Sequence, residues 1–184
     1  MNRRFRRRPR KSALVSLAVL ALIAGRYSWD LAQQGTAPAE QLSEGTGKVV
    51  RVVDGDTLIV RQRSLADGDD NGWCEARVRL LGIDAPETVK PEQPVEPWGP
   101  EAAAFARNFV SEQDVRLQFD KRRIDRYGRV LAYVYVGDRL LNEELVRAGL
   151  ATASAFPGDS QAMARRLRKA EDEARRASRG MWSQ

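Results

Sequence analysis

The pattern of apolar and polar positions divides the chain into a part rich in strands and a later part rich in helices. Two mostly apolar runs, 49–53 and 57–60, flank Asp54-Gly55-Asp56, and Asp-Gly between such runs is typical of a hairpin turn. In 77–81 arginine alternates with apolar residues before Gly82 interrupts the run, which predicts a strand. The first half of the body is therefore expected to be β-structure.

Two further apolar runs, 115–119 and 130–136, predict strands. Helical spacing predicts helices over 99–110, 143–148 and 160–178, the first beginning at Gly-Pro-Glu, which favours a helix start. We expect Asn142 to cap the second helix. The apolar side of the third is expected to comprise Ala162, Leu167, Ala170 and Ala174. Strands followed by helices predict an α+β fold: a five-stranded antiparallel OB-fold barrel with about three flanking helices.

The first residues have a different character from the body. A basic run, 1–11, precedes the apolar run 13–24, which has the organisation of a secretory signal peptide or an uncleaved membrane anchor. We assign 1–30 to this hydrophobic leader, 31–46 to a flexible linker and 47–184 to the folded domain. The positive-inside rule puts the body outside the cytoplasm: secreted, periplasmic or anchored to the membrane.

Composition limits the chemistry. The chain has no His and one Cys, Cys74, which excludes His bases, His metal sites and an intrachain disulfide. The first 30 residues hold eight basic residues and one acid, leaving 23 basic and 24 acidic residues elsewhere. Net charge therefore does not indicate a nucleic-acid binder, and any polyanion site depends on the placement of individual arginines.

Carboxylates gather at two turns. Asp54 and Asp56 share a face of an extended segment and repel each other, and a cation with oxygen ligands, such as Ca²⁺, would relieve the repulsion. Arg79 lies on a predicted strand whose exit carries Asp84 and Glu87. These residues are candidates for a polar site on a rigid element.

These segments together resemble the staphylococcal nuclease family. The resemblance runs from about Gly47 to Ser183 and rests on the motifs at 53–57, 79–87, 127–129 and 142–150 and on the closing Gly-Met-Trp-Ser. It implies an OB-fold enzyme that hydrolyses DNA and RNA with Ca²⁺, shows little sequence preference and leaves 3′-phosphates. The resemblance also implies a monomer whose partner is nucleic acid, preferably single-stranded.

The resemblance assigns roles by position. Asp56, Asp84 and the backbone carbonyl of Ala85 match the calcium ligands, and Asp54 matches an outer-shell carboxylate. Glu87 matches the general base, while Arg79 and Arg129 match the arginines that bind phosphate. Arginine suits this role because its planar fork donates to two oxygens at once.

The chain departs from the family where base-stacking tyrosines are expected, near 155–157. There it has Ala-Phe-Pro, so substrate stacking would depend on Phe156 together with Tyr127. A non-catalytic nucleic-acid-binding module tethered to the membrane is the alternative interpretation. Such a module would be expected to have lost the acids or arginines, and all of them are present here.

Overall fold

The computed structural model describes residues 42–63, 72–88 and 95–183. The strands of this part of the chain are β1 (Gly45–Asp54), β2 (Thr57–Arg63), β3 (Trp73–Leu80), β4 (Ile83–Asp84), β5 (Asp114–Gln118), β6 (Val130–Val136), β7 (Arg139–Leu140) and β8 (Thr152–Ala153). The helices are α1 (Gly99–Val110), α2 (Leu141–Arg147) and α3 (Gln161–Arg176), and a 3₁₀ turn spans Gly180–Trp182.

Five strands close into a barrel. β1 pairs with β2 and β5, β2 pairs with β3, and β5 pairs with β6, all antiparallel. β3 and β6 complete the closure as a parallel pair. The predicted five-stranded barrel with three helices is confirmed, but the expectation that every pairing is antiparallel is wrong. A long crossover through α1 and β5 returns the chain to β6 in the direction of β3, which a tight hairpin cannot do.

The core lies inside the barrel and under α1. Alternate residues of the strands point inward and are almost fully buried, as Leu58 and Val60 of β2 and Val78 and Leu80 of β3 show. Each such side chain stabilises the fold by about 1.5–3 kcal/mol relative to its exposed state. Because the even positions of β3 face the core, Arg79 lies on the outer face of the barrel.

Two details of the helices differ from the prediction. α2 begins at Leu141 without a side-chain cap, and Asn142 is buried within it. The amide of Asn142 instead donates to the Leu81 carbonyl at 2.8 Å and accepts from the Val134 N–H at 3.0 Å. In α3, Ala164 replaces Ala162 on the buried side, because packing against α2 selects that face.

The domain begins before Gly47. Leu42 is 1% exposed and belongs to the core, and β1 starts at Gly45, so the last residues of the predicted linker are structured. The predicted leader, 1–30, lies outside the described residues. In residues 42–63, 72–88 and 95–183, no helix has both the length and the apolar character needed to span a bilayer.

Candidate active site

The β1–β2 hairpin places Asp56 at the centre of the site. Asp54 pairs with Thr57 across the turn, and the Asp56 N–H donates to Asp54 Oδ1 at 3.1 Å. Gly55 does not have the positive φ of the usual hairpin turn. Its role is close packing, since a Cβ there would lie 2.6 Å from the Ala102 Cβ of α1 and 2.8 Å from the Ala85 Cβ. The hairpin is thus pressed against α1, and Asp56 is only 6% exposed.

Arg79 joins the two carboxylates of the site. It faces Thr57 across β2 and β3, and its Nη1 lies 2.7 Å from Asp56 Oδ2. Its Nη2 lies 2.7 Å from Asp84 Oδ1. Nη1 also donates to the carbonyls of Leu80 and Ile83, at 3.2 and 3.0 Å. With its side chain 15% exposed, the guanidinium is fixed by both charge and hydrogen bonds.

Asp84 is held by a second, two-stranded sheet. β4 follows the turn at Gly82, whose φ of 73° is the left-handed conformation that favours glycine. β4 then pairs with β8, with Asp84 opposite Thr152. The side chain of Asp84 is 67% exposed, whereas the next N–H, that of Ala85, donates to Asp56 Oδ2 at 2.9 Å. The site therefore combines a buried carboxylate and an accessible one.

The buried carboxylate of Asp56 is destabilised in its charged form. Burial raises the pKa of Asp56 to about 7, and neither the Arg79 charge nor the Ala85 N–H offsets it, while Asp54 raises the pKa further. The Thr57 hydroxyl contributes a hydrogen bond to Oδ1 at 3.1 Å. Additional positive charge beside Asp56 would therefore be favourable.

The donor set fits a hard cation. Asp56 and Asp84 offer carboxylate oxygens on either side of one guanidinium, Ala85 follows Asp84 with its carbonyl, and Asp54 adds a nearby acid. Within residues 42–63, 72–88 and 95–183, no three His, Cys, Asp or Glu side chains form a cluster suited to a metal. Two carboxylates supplemented by backbone oxygen are ligands that Ca²⁺ accepts.

Glu87 lies three residues after the end of β4, in the segment that leads towards α1. Its backbone is anchored on both sides, because its N–H donates to Glu96 Oε2 at 3.0 Å and its carbonyl accepts from the Glu96 N–H at 3.0 Å. Gly99, the first residue of α1, packs against this segment, and a Cβ there would meet the Glu87 carbonyl at 3.0 Å. The predicted base is thus placed by α1 as well as by β4.

Arg129 is held by an aspartate. Its Nε donates to Asp125 Oδ2 at 2.7 Å and its backbone N–H donates to Oδ1 at 3.0 Å, while the Tyr127 N–H also donates to Oδ1 at 2.8 Å. Burial alone would raise the pKa of Asp125, but these bonds outweigh it and lower the pKa. With a side chain 27% exposed, Arg129 is partly buried rather than a solvated turn residue.

The barrel brings the two arginines to one face. In the parallel pair Arg79 lies opposite Leu131, and Arg129 precedes Leu131 by two residues, which is the same side of the ladder. Tyr127 is 67% exposed and lies between two cations, 4.8 Å from Arg126 and 5.5 Å from Arg129. Phe156 is 55% exposed and packs with Arg122 at 4.8 Å instead.

Sequence reasoning missed two positioning residues. Asn142 ties the end of β3 to β6, although its place at a helix start suggested a cap. Asp120 accepts from the Ser160 N–H at 2.7 Å and from the Tyr133 hydroxyl at 3.1 Å, so it joins the Arg129 loop to the start of α3. The Asn142–Leu81 and Asp120–Ser160 bonds span 61 and 40 residues, so they leave no local pattern in the sequence.

The chain is similar to known proteins over most of its length. Residues 77–184 match the family model described as staphylococcal nuclease homologue. Thermonuclease of Staphylococcus hyicus is 35% identical over 170 residues, 92% of this chain and 95% of the relative. Thermonuclease of Staphylococcus intermedius is 41% identical over 134 residues, 73% and 74% of the two chains.

A further relative is endonuclease YncB of Bacillus subtilis (strain 168), 35% identical over 134 residues, 72% of this chain and 59% of the relative. The closed barrel, the Asp56–Arg79–Asp84 cluster on its outer face and these matches agree with one another. The chain therefore belongs to the staphylococcal nuclease family.

Proposed function

We propose that this protein is a calcium-dependent nuclease that hydrolyses phosphodiester bonds in DNA and RNA with little sequence preference. The observation that carries the proposal is the guanidinium of Arg79, held between Asp56 and Asp84 at 2.7 Å from each. An arginine so fixed beside two carboxylates is preorganised to bind a phosphate next to a cation. Relatives named thermonuclease and endonuclease support the same reaction class.

The cation would be held by Asp56, Asp84 and the carbonyl of Ala85, with Asp54 outside the ligand set. When bound, Ca²⁺ neutralises a phosphate oxygen and holds water close to the phosphorus. The raised pKa of Asp56 supports this assignment, because a cation removes the cost that burial imposes on the carboxylate.

The side chains of the chain supply the remaining chemistry. Glu87 accepts a proton from the attacking water as its oxygen bonds to phosphorus. The bond to the 5′ oxygen breaks and that oxygen takes a proton from water, leaving a 3′-phosphate and a 5′-hydroxyl, while Glu87 releases its proton to solvent. Arg79 and Arg129 donate to the equatorial oxygens, on which charge develops. Single-stranded substrate is preferred because Tyr127 then has unstacked bases to contact.

Purified protein incubated with single-stranded DNA, duplex DNA and RNA tests the reaction. We expect cleavage with Ca²⁺, none with chelator, and 3′-phosphate ends by mass spectrometry. Glu87→Gln should lose activity, whereas Glu112→Gln, an exposed acid after α1, should keep it. Oligonucleotide binding without cleavage under all metal conditions would contradict the proposal and favour the binding module.

The metal assignment has a test independent of activity. Asp84→Asn should reduce the rise in melting temperature that Ca²⁺ produces, because ligand-induced stabilisation follows affinity. Because the Asp84 side chain is exposed, the substitution should leave the packing of the core unchanged. Asp138→Asn, an exposed acid in the β6–β7 turn, is the matched control. An unchanged calcium response in Asp84→Asn would show that the ion binds elsewhere.

The proposal includes an extracytoplasmic monomer. The basic run and the apolar run 13–24 support export or anchoring, and extracellular calcium concentrations suit a site with few charged ligands. Cell fractionation and protease shaving test location, and light scattering tests assembly. Recovery only from the cytosol would contradict the extracytoplasmic location. A dimer at micromolar concentration would contradict the monomeric state.

A further inference from the structure

A cleft beside the start of α3 has no role in the chemistry above. It has a volume of about 710 Å³ and is lined by Lys121, the segment 155–161 and the α3 residues Ala164, Arg165 and Arg168. Ligand sites of a few hundred to a thousand cubic ångströms accommodate a nucleotide-sized group. The cleft is therefore large enough to hold one unit of a polymer.

The three basic side chains of the cleft form no ion pairs within the described residues. In the part of the chain that the structure describes, Lys121, Arg165 and Arg168 form no ion pair with an acid. The acid of the cleft, Asp159, has a side chain only 3% exposed, lies 3.9 Å from Arg122 and accepts from the Phe156 N–H at 2.8 Å. Arg165 and Arg168 consequently face the cleft without a neutralising partner, while the charge of Lys121 also acts on the neighbouring Asp120.

The arginines of α3 differ in their surroundings. Arg166 bonds to the buried Glu143 at 2.5 Å, and Arg175 pairs with Glu171 at 2.8 Å. Arg165 and Arg168 are three positions apart, so they lie on the same face of the helix. That face lines the cleft. Arg166 and Arg175 are thus ion-paired away from the cleft, whereas Arg165 and Arg168 face the cleft without an acid partner.

Two segments lead from the catalytic cluster to the cleft. β8 pairs with β4, and just beyond it the Ser154 N–H donates to the Gly82 carbonyl at 2.8 Å. The next residue, Ala155, already lines the cleft. Ala155 comes three residues after Thr152, the partner of Asp84, which is about 10 Å of extended chain. On the other side, Lys121 belongs to the loop between β5 and β6 that ends at Arg129.

An aromatic side chain completes the lining. Phe156 lines the cleft and is 55% exposed, and aromatic rings stack with bases of any sequence. Cations that track a backbone together with an aromatic platform are typical of single-strand binding sites. This chemistry fits a polynucleotide strand that continues from the catalytic cluster.

We propose that the cleft is a second subsite for single-stranded nucleic acid, in which Lys121, Arg165 and Arg168 bind backbone phosphates away from the bond that is cleaved. The inference rests on the proposed nuclease function. The cleft increases affinity for long strands and compensates for the Ala155 and Pro157 that stand where stacking tyrosines are expected. It contributes nothing to a substrate too short to reach it.

The test compares two double variants of α3. Arg165→Gln with Arg168→Gln removes two charges at the cleft, and Lys169→Gln with Arg176→Gln removes two exposed charges of the same helix outside it. Substrates are a dinucleotide and a 12-nucleotide single strand. For the cleft variant we expect KM for the 12-mer to rise about tenfold, with kcat and dinucleotide cleavage within twofold. For 12-mer binding, the slope of log K against log salt concentration should decrease in magnitude by about 1.4, since each phosphate contact contributes about 0.7.

Other outcomes overturn the inference. Equal loss on both substrates would mean that the arginines act at the catalytic cluster. Identical behaviour of the two double variants would mean that only bulk charge matters. Loss of binding to vesicles of anionic lipid, with 12-mer binding retained, would make the cleft a membrane contact.

The two proposals fail separately. If wild-type protein cleaves neither substrate, the nuclease proposal fails. Fluorescence anisotropy with the labelled 12-mer in chelator then tests the cleft without chemistry, and a tenfold weaker affinity in the cleft variant alone would still support it. Melting temperatures of both double variants should match the wild type, because the replaced side chains are exposed.

Discussion

The site contains two arginine–aspartate pairs in which the pKa of the aspartate is shifted in opposite directions. Arg79 is shared between Asp56 and Asp84 on the strands of the barrel. Arg129 is paired with Asp125 in the loop before β6. Burial raises the pKa of Asp56 to about 7, whereas the pKa of Asp125 is lowered although burial opposes it.

The difference lies in the balance between burial and the donors to each carboxylate: burial prevails at Asp56, whereas the hydrogen bonds prevail at Asp125. Asp125 receives two backbone N–H groups and the Arg129 Nε, all directed at one acid. Asp56 shares its guanidinium with a second acid and lies beside Asp54. Hydrogen bonds to the charged form stabilise it and competing negative charge does not.

The two ion pairs therefore have different functions. Asp125 is satisfied within the protein, so its role is to position Arg129. Asp56 is left short of positive charge, so it is suited to bind a cation. Sites whose acids are pushed to unusual pKa values by burial and by like charges are often functional.

Replacing the planar guanidinium of Arg79 is expected to have the largest effect, and that effect is on activity. Arg79→Lys keeps one charge but cannot bond to Asp56, Asp84 and a phosphate with planar geometry. We expect kcat to fall by about 10³ with little change in KM, since loss of one transition-state donor costs about 10²–10³. Steady-state kinetics with single-stranded DNA measure this. A KM effect alone would show that Arg79 binds the ground state and the transition state equally.

Arg129→Lys is expected to have a smaller effect on kcat, about 10², for the same reason. In contrast to a solvated turn residue, it should also lower the free energy of unfolding by about 1 kcal/mol, because Asp125 loses its bond from Nε. Urea denaturation and kinetics on the same preparation separate the two effects. A stable variant with unchanged kcat would remove Arg129 from the catalytic machinery.

Asp125→Asn should weaken the fold at neutral pH by roughly 1–3 kcal/mol, because one amide cannot replace a carboxylate that accepts three bonds. The lowered pKa of Asp125 contributes stability above the pKa of the unfolded state, and that contribution is lost as the pH falls through the folded value. The difference between variant and wild type should therefore shrink in acid. A constant difference in denaturation experiments at pH 3–7 would contradict this assignment.

Asp56→Asn should show the opposite pH dependence in calcium-free buffer. The raised pKa means that wild-type stability from this group is present below the unfolded value of 3.8 and is lost as the pH rises to about 7. The variant cannot ionise, so its stability relative to wild type should increase by roughly 1–3 kcal/mol from about pH 4 to about pH 7 and stay level above that. Thermal denaturation across this range measures it, with Asp138→Asn as the flat control. Parallel curves would place Asp56 in a solvated environment.

The amino-acid sequence by itself determined the five strands of the barrel, the three helices and the residue types of the site. Alternation around Asp54-Gly55-Asp56 and along 77–81 is local information, because a strand repeats every two residues. The motifs carried by those turns were sufficient to identify the family and to name Asp56, Arg79, Asp84 and Arg129.

Only the tertiary structure decided how these residues are connected. The parallel pairing of β3 with β6, the buried tie made by Asn142 and the fit of Gly55 against α1 all join segments far apart in the chain. The same is true of the pKa of Asp56, which depends on burial by α1 and on the sharing of Arg79. Charge and patterning are written along the chain, whereas desolvation and competition for donors arise only when distant groups are brought together.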